Sequence, residues 1–578
     1  MKKSGLLTMA LFASALSLGL LLGPPTVAAA GPIEAAWNME QVGTGFWINP
    51  ITGKEEVDPG PYSKMGPWPH TDGRYMYSGC YDPAPLAPNA GADRCFMVID
   101  LKDHDQPMRL ATVYSYDLVE SPSPPAGHIV WTPTYAFPNL PVHVPCKVEW
   151  NDPGIKAGTT KPTCWDPGWN THNHYAMLGP GKVLAVNQER YRGGSRLQAN
   201  YHGVKFYDVS DPAHPKFLSY WEAPVSPAVS PPDPVTGVWP DAGGTHHFNF
   251  GARYLYLGTE YKGFIGKILV ILDVKDPRHP VEAGKWWIPG QKVGKPPLGE
   301  DDQRNWVQQS SFSNPIIRIT APDPMDPTKT KLMYTKHVGM HYVSIQGNRA
   351  YLSYHQAGLV ILDVTDPRDP EGLARLDYLK PDTLGTDDPG TPDNAECKAA
   401  AKYYWKLADE VPAACGNTHA TKRVPGHGDN LLIISDEYFS CPWGHVRLVD
   451  ISDETKPVIL SHFLTDQNMA CNPNTPNAAA DPTRFPRRGP SSHLGNAWGS
   501  DLYLMAWYGM GLRAIDISNP NYPVEVGFFE YEINRNNPTY AGSDTYDVLF
   551  GPGNFLYLSD GTSGLRVLKY TGRGAPAE

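Results

Sequence analysis

An all-β chain built from seven repeated units is predicted by three observations. The first is a segment written seven times. Gly358 to Pro370 (Gly-Leu-Val-Ile-Leu-Asp-Val-Thr-Asp-Pro-Arg-Asp-Pro) is a short apolar run with a β-branched bias, which reads as a buried strand. Asp363, Asp366, Pro367 and Pro370 then stop that strand in a tight turn, because proline lacks an amide donor and fixes φ. Val204–Pro215, Leu269–Pro280, Val446–Asp453 and Leu512–Pro520 repeat it; Phe96–Asp103 is a looser copy, and Gly564–Tyr570 lacks the turn. The second is composition: 59 prolines, 55 glycines and 19% charged residues in 578 suit short strands joined by many turns. The third is the order inside each unit. His341–Arg349, Ala350–Tyr354, Gly358–Val364 and Leu373–Tyr378 read as strand, glycine turn, strand, turn, strand, Pro-rich turn, strand. Four-stranded units repeated radially make a β-propeller.

The ends define the ring. The last unit stops after three strands, Asp547–Asn554, Phe555–Asp560 and Gly564–Tyr570, so the segment near Ile33 to Val42 is expected to complete it. Residues 1–30 read as a signal peptide: Lys2 and Lys3 precede an apolar run from Leu6 to Leu22, and Ala28-Ala29-Ala30 offers a cleavage site. Residues 31–578 are then one propeller domain, with a bacterial periplasmic or secreted location and no membrane span after signal removal. The net charge of −11 argues against nucleic acid and anionic surfaces.

The eight cysteines fall into sequence-adjacent couples, Cys80 with Cys95, Cys146 with Cys164, Cys397 with Cys415 and Cys441 with Cys471. An even count in an exported chain implies disulfides, and adjacent pairing is the choice made among about 105 connectivities.

Seven blades of about 45–50 residues need only part of this chain. The surplus lies at about 122–170, 296–336, 380–418 and 466–490, always after a fourth strand and before the next first strand. One propeller face is therefore elaborated and the other plain. Ala399–Asp409 reads as one short helix in the third insertion, between Cys397 and Cys415. The disulfides Cys146–Cys164, Cys397–Cys415 and Cys441–Cys471 would staple that face.

The histidines gather at the elaborated face. With the units aligned on Tyr256, Tyr351, Tyr503 and Tyr557, the residues ten positions earlier are His246, His341, His493 and Asp547; a shorter turn would put His247 in place of His246. That position opens the innermost strand. His174 belongs with these candidate ligands, and His172, His337, His355 and His419 lie nearby as alternative or supporting ones. The second-strand ends bring Glu189, Glu260 and Glu437 to the same face as candidate catalytic acid–base groups. Imidazoles and carboxylates converging at a channel mouth suit a transition metal, with copper, iron and zinc all acceptable. Inward polar side chains on a propeller axis also hold buried water, which is the structural alternative. Ser491-Ser492-His493 lacks the setting of a nucleophile elbow, and the chain has no phosphate-binding glycine loop.

The Leu-Val-Ile-Leu-Asp-Val and Phe-Tyr-Asp-Val-Ser-Asp-Pro segments resemble the LVIVD repeat of exported or surface propellers of bacteria and archaea, from about Cys95 to Tyr570. That resemblance implies the fold and leaves the activity open. Two functions are carried forward. One is an exported metal-dependent enzyme acting on a small molecule, an oxidoreductase in preference to a hydrolase. In architecture this is similar to the four-histidine iron oxygenases that cleave carotenoids and stilbenes. The other is a non-enzymatic binding propeller whose elaborated face meets a surface partner.

Overall fold

The computed structural model is an all-β seven-bladed propeller. It describes residues 33–48, 55–57, 70–79, 94–114, 128–131, 146–149, 171–172, 175–190, 203–224, 244–262, 264, 266–288, 291, 305–311, 314–323, 326–337, 339–355, 358–376, 417–437, 443–465, 467–468, 489–531, 543–561 and 564–573.

Each blade is an antiparallel meander whose first strand lies innermost. The fourth blade, Tyr342–Gln346, Arg349–Ser353, Leu359–Asp363 and Glu371–Leu376, shows the rule. In the third strand Leu359 to Leu362 are all buried, because both faces of a blade pack against neighbouring blades. The repeated turn behind it is locked twice by side-chain-to-backbone bonds. Asp363 Oδ1 accepts the amide of Thr365 at 2.7 Å, and Asp366 Oδ1 accepts that of Arg368 at 3.1 Å. The next amide, Val364 N–H, reaches back to Asn348 O at 2.8 Å and ties this turn to the first hairpin. Val209, Val274, Ile451 and Ile517 make the same bond in their blades. The Asp-x-x-Asp-Pro motif thus builds the plain face. A β-bulge between strands three and four recurs too, at Ile271/Leu272, Ile361/Leu362, Leu448/Val449 and Ala514/Ile515, sharpening the twist.

Apolar clusters sit between successive blades. Met76, Met97 and Ile99 of the first blade pack on Tyr557, Leu565 and Val567 of the seventh, so the ring closes on itself. Closure differs in detail from the sequence expectation. Met39–Thr44 supplies the fourth strand of the seventh blade, pairing with Gly564–Tyr570. Ile33–Trp37 instead pairs with Val524–Tyr531 as a fifth strand of the sixth blade. The pivot is Asn38, at φ 54, in the left-handed region that asparagine tolerates. Its Nδ2 donates to Val526 O at 2.8 Å, and its carbonyl accepts Thr571 N–H at 3.0 Å, so it is bonded to both blades.

The insertions are partly described. His128–Trp131 pairs with Cys146–Glu149, and Asn305–Ser311, Asn314–Asp323 and Asp326–His337 form a three-stranded sheet. The expected helix at Ala399–Asp409 and all eight cysteine side chains lie outside the described residues. No helix among the described residues is long and apolar enough to cross a membrane.

Candidate metal centre on the propeller axis

The aspartate at the end of each third strand gives a common origin, because it faces Val183, Tyr254, Arg349, Leu431 or Leu502 on strand two. Six residues further on stand Glu189, Glu260, His355, Glu437 and Tyr508, one per blade at the elaborated end. Across the ladder on the first strands stand His246, His341, His419, His493 and Tyr546, each just before its strand's regular pairing.

These rings form a continuous arc. Centroids are 4.2 Å apart for His246 and His341, 4.1 Å for His341 and His419, and 4.4 Å for His419 and His493. A blade-to-blade relay orients them. His341 Nδ1 contacts His419 O at 2.9 Å, His419 Nδ1 contacts His493 O at 3.2 Å, and His493 Nδ1 contacts Tyr546 O at 2.5 Å. A carbonyl only accepts, so each Nδ1 carries the proton and each neutral ring keeps its lone pair on Nε2. Burial, followed by the neighbouring His419, His246 and His355, holds His341 well below the ordinary imidazole range, so it is neutral at neutral pH.

His341, His419 and Glu437 come closest to a ligand set, each offering one donor atom, all within 4.8 Å of one another. His419 Nε2 lies 3.5 Å from Glu437 Oε2, while the Tyr508 hydroxyl donates to Glu437 Oε1. Two imidazoles and one carboxylate suit zinc or non-haem iron(II). Tyr508 and His355 hold the same ladder position with left-handed φ values of 35 and 45. Such backbone is costly for these residues and persists where the surroundings impose it. Here backbone bonds impose it, Thr545 N–H to Tyr508 O at 3.1 Å, and the reciprocal pair between His355 and Thr418 at 3.0 Å each. Each strap ties a second-strand end to the first strand of the next blade and turns an aromatic ring toward the axis. Tyr508 is 4.6 Å from the His493 ring and His355 is 4.6 Å from that of His341.

The other expected residues divide. His246 joins the arc, and His247 lies one layer deeper, stacked between Tyr175 at 4.2 Å and Tyr342 at 3.7 Å. Asp547 also belongs to that deeper layer: the hairpin after it is one residue longer than in the third and fourth blades, so Tyr546 takes the arc position. Glu260 is at the expected strand end but outside the close ligand group. Of His172, Glu189 and His337 only the backbone is described, and His174 lies outside the described residues.

Asp547 is buried, accepts Val548 N–H at 2.8 Å and Asn496 Nδ2 at 3.2 Å, and is pushed up by burial to about 6. An aspartate raised in the folded state is protonated there while the unfolded chain is already ionised. Its contribution is therefore present at pH 4 and lost as pH rises toward 6. Asp547→Asn removes that dependence, so urea midpoints should show the wild type losing about 2 kcal/mol more than the variant across this window.

The LVIVD repeat family model matches residues 341–373 and 505–530. The chain thus carries LVIVD repeats on a seven-bladed propeller. Among solved structures it is similar to Sqt1 of Saccharomyces cerevisiae, at 7% identity, TM-score 0.38, covering 92% of this chain and 99% of that one. The computationally designed Ika8 protein aligns at 7% identity, TM-score 0.36, with 88% and 96% covered. A protein from Lactobacillus plantarum aligns at 11% identity, TM-score 0.29, with 72% and 89% covered. No curated protein sequence matches.

Proposed function

We propose that this chain is an exported metal-dependent oxidoreductase with a transition metal held by His341, His419 and Glu437. The observation that carries the reading is their convergence within 4.8 Å, drawn from two successive blades. The donor chemistry fits, because both imidazoles present Nε2 as the unprotonated nitrogen and the carboxylate is steered by Tyr508. When bound, copper or iron supplies one-electron or dioxygen chemistry, and zinc would supply Lewis acidity instead.

The chain's own residues then have distinct tasks. The carbonyls of His419, His493 and Tyr546 fix ring orientation. Hydroxyl donation from Tyr508 leaves Glu437 Oε2 as the oxygen turned to His419. Tyr175, His247 and Tyr342 stack as a buried layer beneath the arc, and a small-molecule substrate is proposed to approach from the elaborated face. His246 and His493 flank the set as further ligands or proton carriers.

Elemental analysis of the full chain, produced with copper, iron and zinc each in excess, tests this. About one equivalent of a single metal is expected, retained through dialysis. Chain that folds and holds none points to the binding propeller with a partner on the same face.

A further inference from the structure

The channel below the histidine arc holds a second site that owes nothing to the metal reading. Three residues past the arc positions of blades three to seven stand Asn249, Ser344, Lys422, Asn496 and Leu549, and His70 and Met177 hold the same ladder level in blades one and two. All are half-buried although they lie on innermost strands. One layer up, Tyr175, His247, Tyr342, Ala420, Leu494 and Asp547 are all buried. Partial exposure of this layer beside full burial of the next marks an end of the channel that solvent reaches from the plain face, stopping at the buried layer.

Its wall is two-sided. Blades three to six contribute the polar side, Asn249, Ser344, Lys422 and Asn496. Blades seven and two contribute Leu549 and Met177, flanking His70. Lys422 is the only formal charge in this layer. Among the described residues its one hydrogen-bond partner is Asn496 Oδ1, at 2.5 Å, and an ammonium has three donors. The Ser344 hydroxyl has no hydrogen bond within the described residues, and His70 Nδ1 likewise lacks one. Nearby carboxylates are already engaged. Asp547, a layer up, accepts Val548 N–H and Asn496 Nδ2, and Asp72 is paired with Lys182 at 2.7 Å. Asp547 also acts on Lys422 through its charge, yet two of the three ammonium donors are unused among the described residues, and a cation between low-dielectric walls concentrates small anions.

We propose that this end of the channel binds a short-chain monocarboxylate, its head on Lys422 and Ser344 and its hydrocarbon tail on Leu549 and Met177. A carboxylate supplies two acceptor oxygens for neighbouring donors on blades four and five, and a tail of a few carbons spans to the apolar wall. The probe is butyrate, with butanol and inorganic phosphate as controls, on the full-length chain. Amine acetylation followed by peptide mass mapping should find Lys422 modified at least tenfold more slowly with saturating butyrate. Butanol should give no protection and phosphate less than butyrate. Lys422→Met should weaken butyrate binding at least tenfold by titration calorimetry; the labelling result stands on the wild type even if that variant misfolds. His341→Ala should bind butyrate as the wild type does, which separates this site from the metal centre. Equal labelling with and without butyrate, protection by butanol, phosphate outdoing butyrate, or loss of butyrate binding in His341→Ala would each overturn the assignment.

Discussion

His419→Ala should lose bound metal more completely than any other single change in the ring, by at least about 100-fold in affinity, because it deletes a ligand and also disturbs its neighbour. The His419 imidazole lies 3.5 Å from Glu437 and between the rings of His341 and His493. His341→Ala should match it closely, since only two imidazoles belong to the tightest group. His493→Ala, one position along the arc, should cost about tenfold or less, the scale of an outer contact. Tyr508→Phe makes a sharper comparison. It removes the hydrogen bond to Glu437 Oε1 while keeping the ring, so metal should remain while its spectroscopic signature shifts. None of these changes should unfold the chain, because each blade is held by its own ladder and inter-blade packing. Melting curves of the metal-free variants should overlay that of the metal-free wild type to within a few degrees. If His419→Ala keeps full occupancy, the centre lies elsewhere on the axis.

The repeat was legible because the turn chemistry and the buried third strand are local. Asp363, Asp366 and Pro367 act within a few residues, and the pattern recurs wherever the same turn is needed. That His246, His341 and His493 stand at one level of their blades was also readable, since one residue per blade at one level follows from the repeat. Which histidines pair most closely was not, because counting back from strand two assumes equal hairpins. In the fifth blade Val424 pairs with Leu431 across a long loop, whereas Gln346 pairs with Arg349 across a two-residue turn. That difference hid His419 among the supporting residues. The same cause put Asp547 in the place of Tyr546. Counting forward from the threonine that precedes the arc position, as in Thr245-His246, Thr418-His419 and Thr545-Tyr546, would have found the register. Tyr508 carried no signal of its own. Its role comes from a left-handed backbone and a strap to Thr545, which only the equivalence with His355 makes recognisable.

Deleting residues 33–44 should be the most destabilising change available at the chain ends. Met39–Thr44 is the fourth strand of the seventh blade, and Ile33–Trp37 covers the outer edge of the sixth. Without them Gly564–Tyr570 is left with an open ladder, a row of unpaired amides and carbonyls that invites pairing with another chain. Met39 is buried among Leu512, Phe529 and Tyr570, and Met39→Ala alone should cost about 2–4 kcal/mol. Thr44 adds a hydroxyl bond to Leu565 O at 3.1 Å, and Asn38 bonds both blades. The deletion should exceed the point variant, lowering the denaturant midpoint further and producing concentration-dependent aggregation. Supplying residues 33–44 as a separate peptide should restore part of the lost stability, in proportion to peptide added, because the strand binds an existing edge. Asn38→Pro offers a finer test: the left-handed φ there is closed to proline, so the strap should detach from one blade while its sequence is otherwise intact. A deletion variant as stable as the parent would mean that the ring is held by inter-blade packing alone, with Met76, Met97 and Ile99 against Tyr557 and Val567 as the whole of the closure.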